Sequence, residues 1–69
     1  MRKYGVLLEP TRTGYSAHVP DLQGCVAAGA TKSETLRLIR GAIRLHIRAM
    51  ERDGEKVPEP TTGCETVEV

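Results

Sequence analysis

The stretch from Gly14 to Glu34, GYSAHVPDLQGCVAAGATKSE, constrains the fold more than any other part of the chain. It carries a strand, a proline-led turn, a second strand and a helix start, and places no recognisable catalytic group. Tyr15, Ala17 and Val19 alternate with Ser16 and His18, the period of a half-buried strand. Pro20 cannot donate to a sheet ladder. Asp21 is read as bonding the backbone just ahead of it, and Gly24 permits a positive φ. Cys25 to Ala28 reads as a short strand of small residues closed by Gly29.

The flanking segments extend this pattern. Lys3 to Glu9 is rich in β-formers, with Tyr4, Val6 and Leu8 on one face and Gly5, Leu7 and Glu9 on the other. Pro10 to Gly14 has turn chemistry, so the first two strands form a hairpin. Thr31 to Glu34 fits a capping box, in which Glu34 reaches back to the Thr31 amide. The helix is expected from Lys32 to Asp53, with Gly54 as a left-handed stop. Leu36, Ile39, Ile43, Ile47 and Met50 make one apolar stripe. Leu38, Ala42, Leu45 and Ala49 make a second, smaller one. Arg37, Arg40, Arg44, Arg48 and Arg52 fill the remaining face. Glu55 to Gly63 reads as an extended connector, and Cys64 to Val69 alternates as a final strand. The order β-β-β-α-β calls for a right-handed crossover, with the last strand parallel to an earlier one.

Length limits what such a chain can bury. At 69 residues it is expected to be a single domain, and a chain this short buries only about 60% of the surface its unfolded form exposes. The sequence has no Trp or Phe, and only Tyr4 and Tyr15 supply aromatic area. Cys25 and Cys64 are too few for a disulfide framework and are not spaced as a metal pair. Self-association is then the expected staple. Met1-Arg2-Lys3 leads into a strand with no apolar signal core, which points to a cytoplasmic setting and free thiols. A net charge of +1 argues against general polyanion binding.

Several residues invite chemical readings. Glu9, Asp21, Glu34 and Asp53 are the carboxylates a two-metal nuclease would need, but such a site requires them to converge. Glu34 is already explained as a cap and Asp21 as a turn former. His18 is a candidate base or partner contact, against the plainer reading of a half-exposed strand residue. His46 borders the apolar stripe and is expected at its rim. Zinc on Cys25, Cys64, His18 and His46 would need four distant residues with no short-spaced ligand pair. No catalytic residue, metal or cofactor is therefore assigned. The arginine face could bind a phosphate backbone or an acidic surface. A solvated face is the preferred reading, because no aromatics interleave as stacking platforms.

Taken together, Tyr4 to Glu9, Gly14-Tyr15, Val19-Pro20-Asp21-Leu22-Gln23-Gly24-Cys25, Gly29, Thr31, Glu34, Gly54, Pro58 and Pro60 resemble the HicB-type antitoxin domain. Ala30 and Thr35 depart from it, standing where members often carry Asp and a small alanine. The resemblance implies an α+β, partial RNase H-like fold: a four-stranded mixed sheet, the last strand parallel beside the first, and one long helix on one face. In that fold the third and fourth strands lie at opposite edges, which excludes a Cys25–Cys64 disulfide. It also implies a type II toxin–antitoxin role, in which the domain binds a small mRNA-cleaving, HicA-like toxin and covers its active surface. Expected partner-binding residues are His18 and the turn Pro20, Asp21, Leu22, Gln23 and Gly24. Many members continue into an operator-binding segment. This chain stops at Val69, so DNA binding is not carried over. One helix covers one sheet face only, so the other face or an edge strand, with outward Leu7, is expected to drive assembly into a homodimer or higher oligomer.

Overall fold

The structure is a computed structural model describing residues 2–69; Met1, part of the expected strand-leading N-terminus, lies outside them. Three strands, β1 (Leu7–Pro10), β2 (Tyr15–His18) and β3 (Val26–Gly29), form an antiparallel sheet in the order β1-β2-β3. One helix, α1 (Lys32–Arg52), packs across one face, lying over β3 more than β2.

The hairpin follows the sequence. Leu8 pairs with Ala17, and Pro10 with Tyr15. The Thr11 amide donates to the Gly14 carbonyl at 2.8 Å to close the turn. β1 begins later than expected and includes Pro10, which an outer strand tolerates because no ladder bond is demanded of its nitrogen. Gly14 has no room for a side chain, since an added Cβ would run into the Gly29 carbonyl and Ala30 Cα.

The helix ends are set locally. Thr31 is extended (φ −126°, ψ 161°), and its hydroxyl accepts from the Glu34 amide at 3.1 Å. Glu34 Oε1 accepts from the Ala30 amide at 2.9 Å rather than from Thr31, because the extended cap swings the preceding amide into reach. At the far end, Gly54 (φ 74°) donates to the Glu51 carbonyl and Glu55 to the Met50 carbonyl, a Schellman closure with Asp53 as the cap.

Ala17, Val19, Leu22, Cys25 and Ile39 form the core, with Tyr4, Val6, Leu8, Ile43 and Ile47 packed around it. The helix is rotated slightly from the expected stripe. Leu36 is 43% exposed, whereas Thr35 is wholly buried. The cause is the close approach of α1 to Gly29, where a Cβ would stand 2.8 Å from Thr35 Oγ1. The Thr35 hydroxyl is satisfied by donating to the Thr31 carbonyl at 2.7 Å, so burying it leaves no unpaired group.

The expected four-stranded mixed sheet is not what forms among the described residues, where the sheet has three strands. Residues 55–69 form no strand, yet they return alongside the N-terminal segment. Arg2 meets Glu59 at 3.9 Å, and the Tyr4 hydroxyl donates to the Pro58 carbonyl. Gly5 lies under the Thr62 carbonyl, and the Cys64 thiol reaches the Val6 carbonyl at 3.8 Å. Both segments advance in the same sense, as the expected last strand would. Two things keep residues 58–62 out of a ladder. Pro58 and Pro60 carry no N–H, and the Thr61 and Thr62 amides are spent on Asp21. Val67 and Val69 are exposed, so the alternation at the end of the chain meets no apolar surface.

Candidate partner-binding surface

The turn after β2 is built from backbone bonds around one apolar anchor. The Leu22 amide donates to the Val19 carbonyl, Cys25 to Leu22, and Val19 back to Cys25, each at 3.1 Å. Leu22 points inward and is 1% exposed, beside buried Val19 and Cys25. Gly24 takes φ 82°, which a side chain rarely adopts. The expected contact role for Leu22 is thus corrected: it fixes the turn from beneath and offers no surface. Pro20, Gln23 and Gly24 are exposed at the tip.

Asp21 also differs from its expected part. The backbone closes the turn unaided, which leaves the carboxylate free to hold residues forty positions away. Asp21 Oδ2 accepts from the Thr61 and Thr62 amides, both at 3.0 Å. Oδ1 accepts from the two hydroxyls at 3.1 and 2.8 Å. The Thr62 amide and hydroxyl, then those of Thr61, stabilise the charged form and lower the Asp21 pKa from 3.8 to about 2. Sequence reasoning missed this clamp. The adjacent threonines after two prolines were its only trace.

His18 ends β2 on the sheet face away from the helix. The register places it between Leu7 on β1 and Val26 on β3, with Glu9, Ser16 and Ala28 in the next row. Leu7 is 42% and Val26 65% exposed. This face carries an apolar pair about a half-buried histidine, and the turn tip lies at the end of the same strand.

The arginine face forms as expected. Arg37, Arg40, Arg44, Arg48 and Arg52 are all exposed, opposite the buried stripe. Arg52 lies 3.5 Å from Asp53. Arg44 and Arg48 border a groove between α1 and β3. The candidate nuclease and zinc residues stand apart. Among the described residues no three His, Cys, Asp or Glu side chains come together; Glu34 and Asp21 are occupied as caps and clamps. Both cysteines are free thiols, Cys25 buried and Cys64 exposed, and burial pushes the Cys25 thiol pKa up. Among the described residues no helix is long and apolar enough to cross a membrane.

A family model for the HicB-like antitoxin of bacterial toxin–antitoxin systems matches residues 4–68. The chain belongs to the HicB-like antitoxin family. An uncharacterised 14.9 kDa protein of Haemophilus phage HP1 is 39% identical over 56 residues, covering 81% of this chain and 42% of the phage protein. A UPF0150 protein of Thermoplasma acidophilum is 40% identical over 57 residues, covering 81% of this chain and 83% of its own length. A UPF0150 protein of Helicobacter pylori is 43% identical over 47 residues, covering 68% and 65%. The chain thus spans less than half of the phage relative and most of the Thermoplasma one.

Proposed function

We propose that residues 1–69 form one HicB-like domain that acts as an antitoxin, binding a small RNA-cleaving, HicA-like toxin and blocking its RNA-holding surface. The observation that carries this reading is the family match over nearly the whole chain. The mechanism is steric and needs no catalytic group, in keeping with the non-enzymatic role that the family points to. The open sheet face docks on the toxin through Leu7, His18 and Val26, and Pro20, Gln23 and Gly24 extend the contact. Asp21 and Leu22 hold that turn in shape. The site of action is the cytoplasm, where a toxin's mRNA targets are, and the domain works as a homo-oligomer.

The test is capture of the tagged chain from nuclease-treated native lysate, read by mass spectrometry. Recovery of a small basic protein at near-equal stoichiometry, released by His18→Glu with Val26→Glu, is expected. Recovery of the chain alone contradicts the reading.

A second reading, nucleic-acid binding, draws on the five exposed arginines along one helix face. It requires binding that weakens steeply with salt. Arg37→Glu with Arg40→Glu, remote from the open sheet face, should abolish it.

A further inference from the structure

β3 pairs with β2 on one side, and no strand among the described residues pairs with it on the other. The helix lies above this free margin. Its flank there presents Glu34, Leu38, Gly41, Leu45 and Arg48, at alternating spacings of four and three, the repeat of a helix–helix seam. Leu38 and Leu45 are 37% and 67% exposed, and with Val26, Ala27 and Ala28 they line one groove. A bare edge beside exposed leucines is a surface that proteins normally cover.

We infer that a second copy of this chain fills the groove. β3 pairs antiparallel with its counterpart about a two-fold axis, and α1 packs antiparallel on the partner helix. The inference names the surface behind the self-association proposed above, and rests on that reading.

Three observations select this occupant. First, the groove is symmetric about its own middle. Val26 to Ala28 centre on Ala27, and Leu38 and Leu45 lie evenly about Gly41 and Ala42, which line the same groove. One axis therefore serves strand and helix together. Strands about 4.8 Å apart, each under its own helix, bring the helices to about the 8–10 Å spacing of packed pairs. Second, Gly41 has no reason to be glycine within the chain. An added Cβ would meet nothing within 4 Å, yet a glycine inside a helix costs stability relative to alanine. Beside the axis, its lack of a side chain lets the second helix come close. Third, the charges match. The antiparallel arrangement brings Glu34 of one copy near Arg48 of the other and sets the two Arg48 side chains apart, while Arg44, which also lines the groove, lies nearer the axis. These charges lie at the rim of the seam, where they set orientation more than affinity.

The experiment is light scattering on the eluting protein, repeated for Leu45→Glu. A second measurement is oxidative cross-linking of Gly41→Cys, made together with Cys64→Ser. Wild type is expected at twice the chain mass of 7.5 kDa. Leu45→Glu should raise the dissociation constant about tenfold or more without loss of helical circular dichroism. Gly41→Cys should form a symmetric disulfide-linked dimer. A wild-type monomer at micromolar concentration overturns self-association and this surface together. A wild-type dimer that Leu45→Glu leaves intact and Gly41→Cys does not cross-link overturns only the surface.

Discussion

The two margins of the sheet are treated in opposite ways. Beside β1 the chain's own residues 58–64 lie back along the strand's lead-in, residues 2–6, held by the Asp21 carboxylate, the Tyr4 hydroxyl and the Gly5 gap. Along β3 the backbone edge is bare, and the adjoining helix flank shows Leu38 and Leu45. The covered margin is polar and specific, and it closes within one chain. The open margin is apolar and symmetric, which suits contact between chains. In a chain this small, with little aromatic area, there is enough polypeptide to lie beside one margin and not the other.

The largest expected effect is at the residue under the covered margin. Leu22→Ala removes a fully buried side chain and should cost about 2–5 kcal/mol, much of what a small domain possesses. Thermal melting should fall by roughly 10 °C or more. An unchanged melt would mean that Leu22 does not anchor the turn. Next is Gly29→Ala at the open margin. The new methyl meets the Thr35 amide nitrogen at 3.1 Å and its hydroxyl at 2.8 Å, so the helix start must shift, at about 1–3 kcal/mol by urea unfolding.

Asp21→Ala separates the two margins more cleanly. Hydrogen exchange at Thr61 and Thr62 should accelerate markedly, while amides of β3 keep their protection. Acceleration throughout the sheet would show that the clamp supports the core as well. Acid should act on the same contact. The folded-state pKa of about 2 lies below the ordinary 3.8, so the contribution of the clamp is complete above pH 3.8 and fades as pH falls through about 2. Amide shifts of Thr61 and Thr62 followed by NMR should titrate in that window, and those of β3 should not. The smallest effect is reserved for Arg37→Gln, which touches neither margin and should change stability by less than about 0.5 kcal/mol in a urea melt.

Much of the fold was legible because it is local. The hairpin alternation, the Thr31 cap and the Gly54 stop each depend on neighbours a few residues apart, so their chemistry shows in order along the chain. The clamp did not show, because Asp21 and Thr61 are forty positions apart and a turn aspartate normally serves its own loop. The expected stripe holds at Ile39, Ile43 and Ile47 and fails at its first turn, where Thr35, polar in sequence, is buried in place of Leu36 by the close approach at Gly29. The last strand, Cys64 to Val69, was expected from its alternating valines, but Val67 and Val69 meet no apolar surface and the segment stays exposed. At the candidate surface the periodic features, the arginine face and the Leu38–Leu45 stripe, were legible. Their meeting with Val26 depends on strand register and helix placement, which only the folded chain displays. The same holds for Leu22, whose inward turn distinguishes an anchor from a contact.

The most direct test of the functional account is RNA cleavage by a purified HicA-like toxin from the same genome, titrated with this chain. The account predicts that cleavage falls to background near equal stoichiometry, and that His18→Glu with Val26→Glu restores it. Cleavage that continues unchanged with the chain in excess would contradict the antitoxin reading.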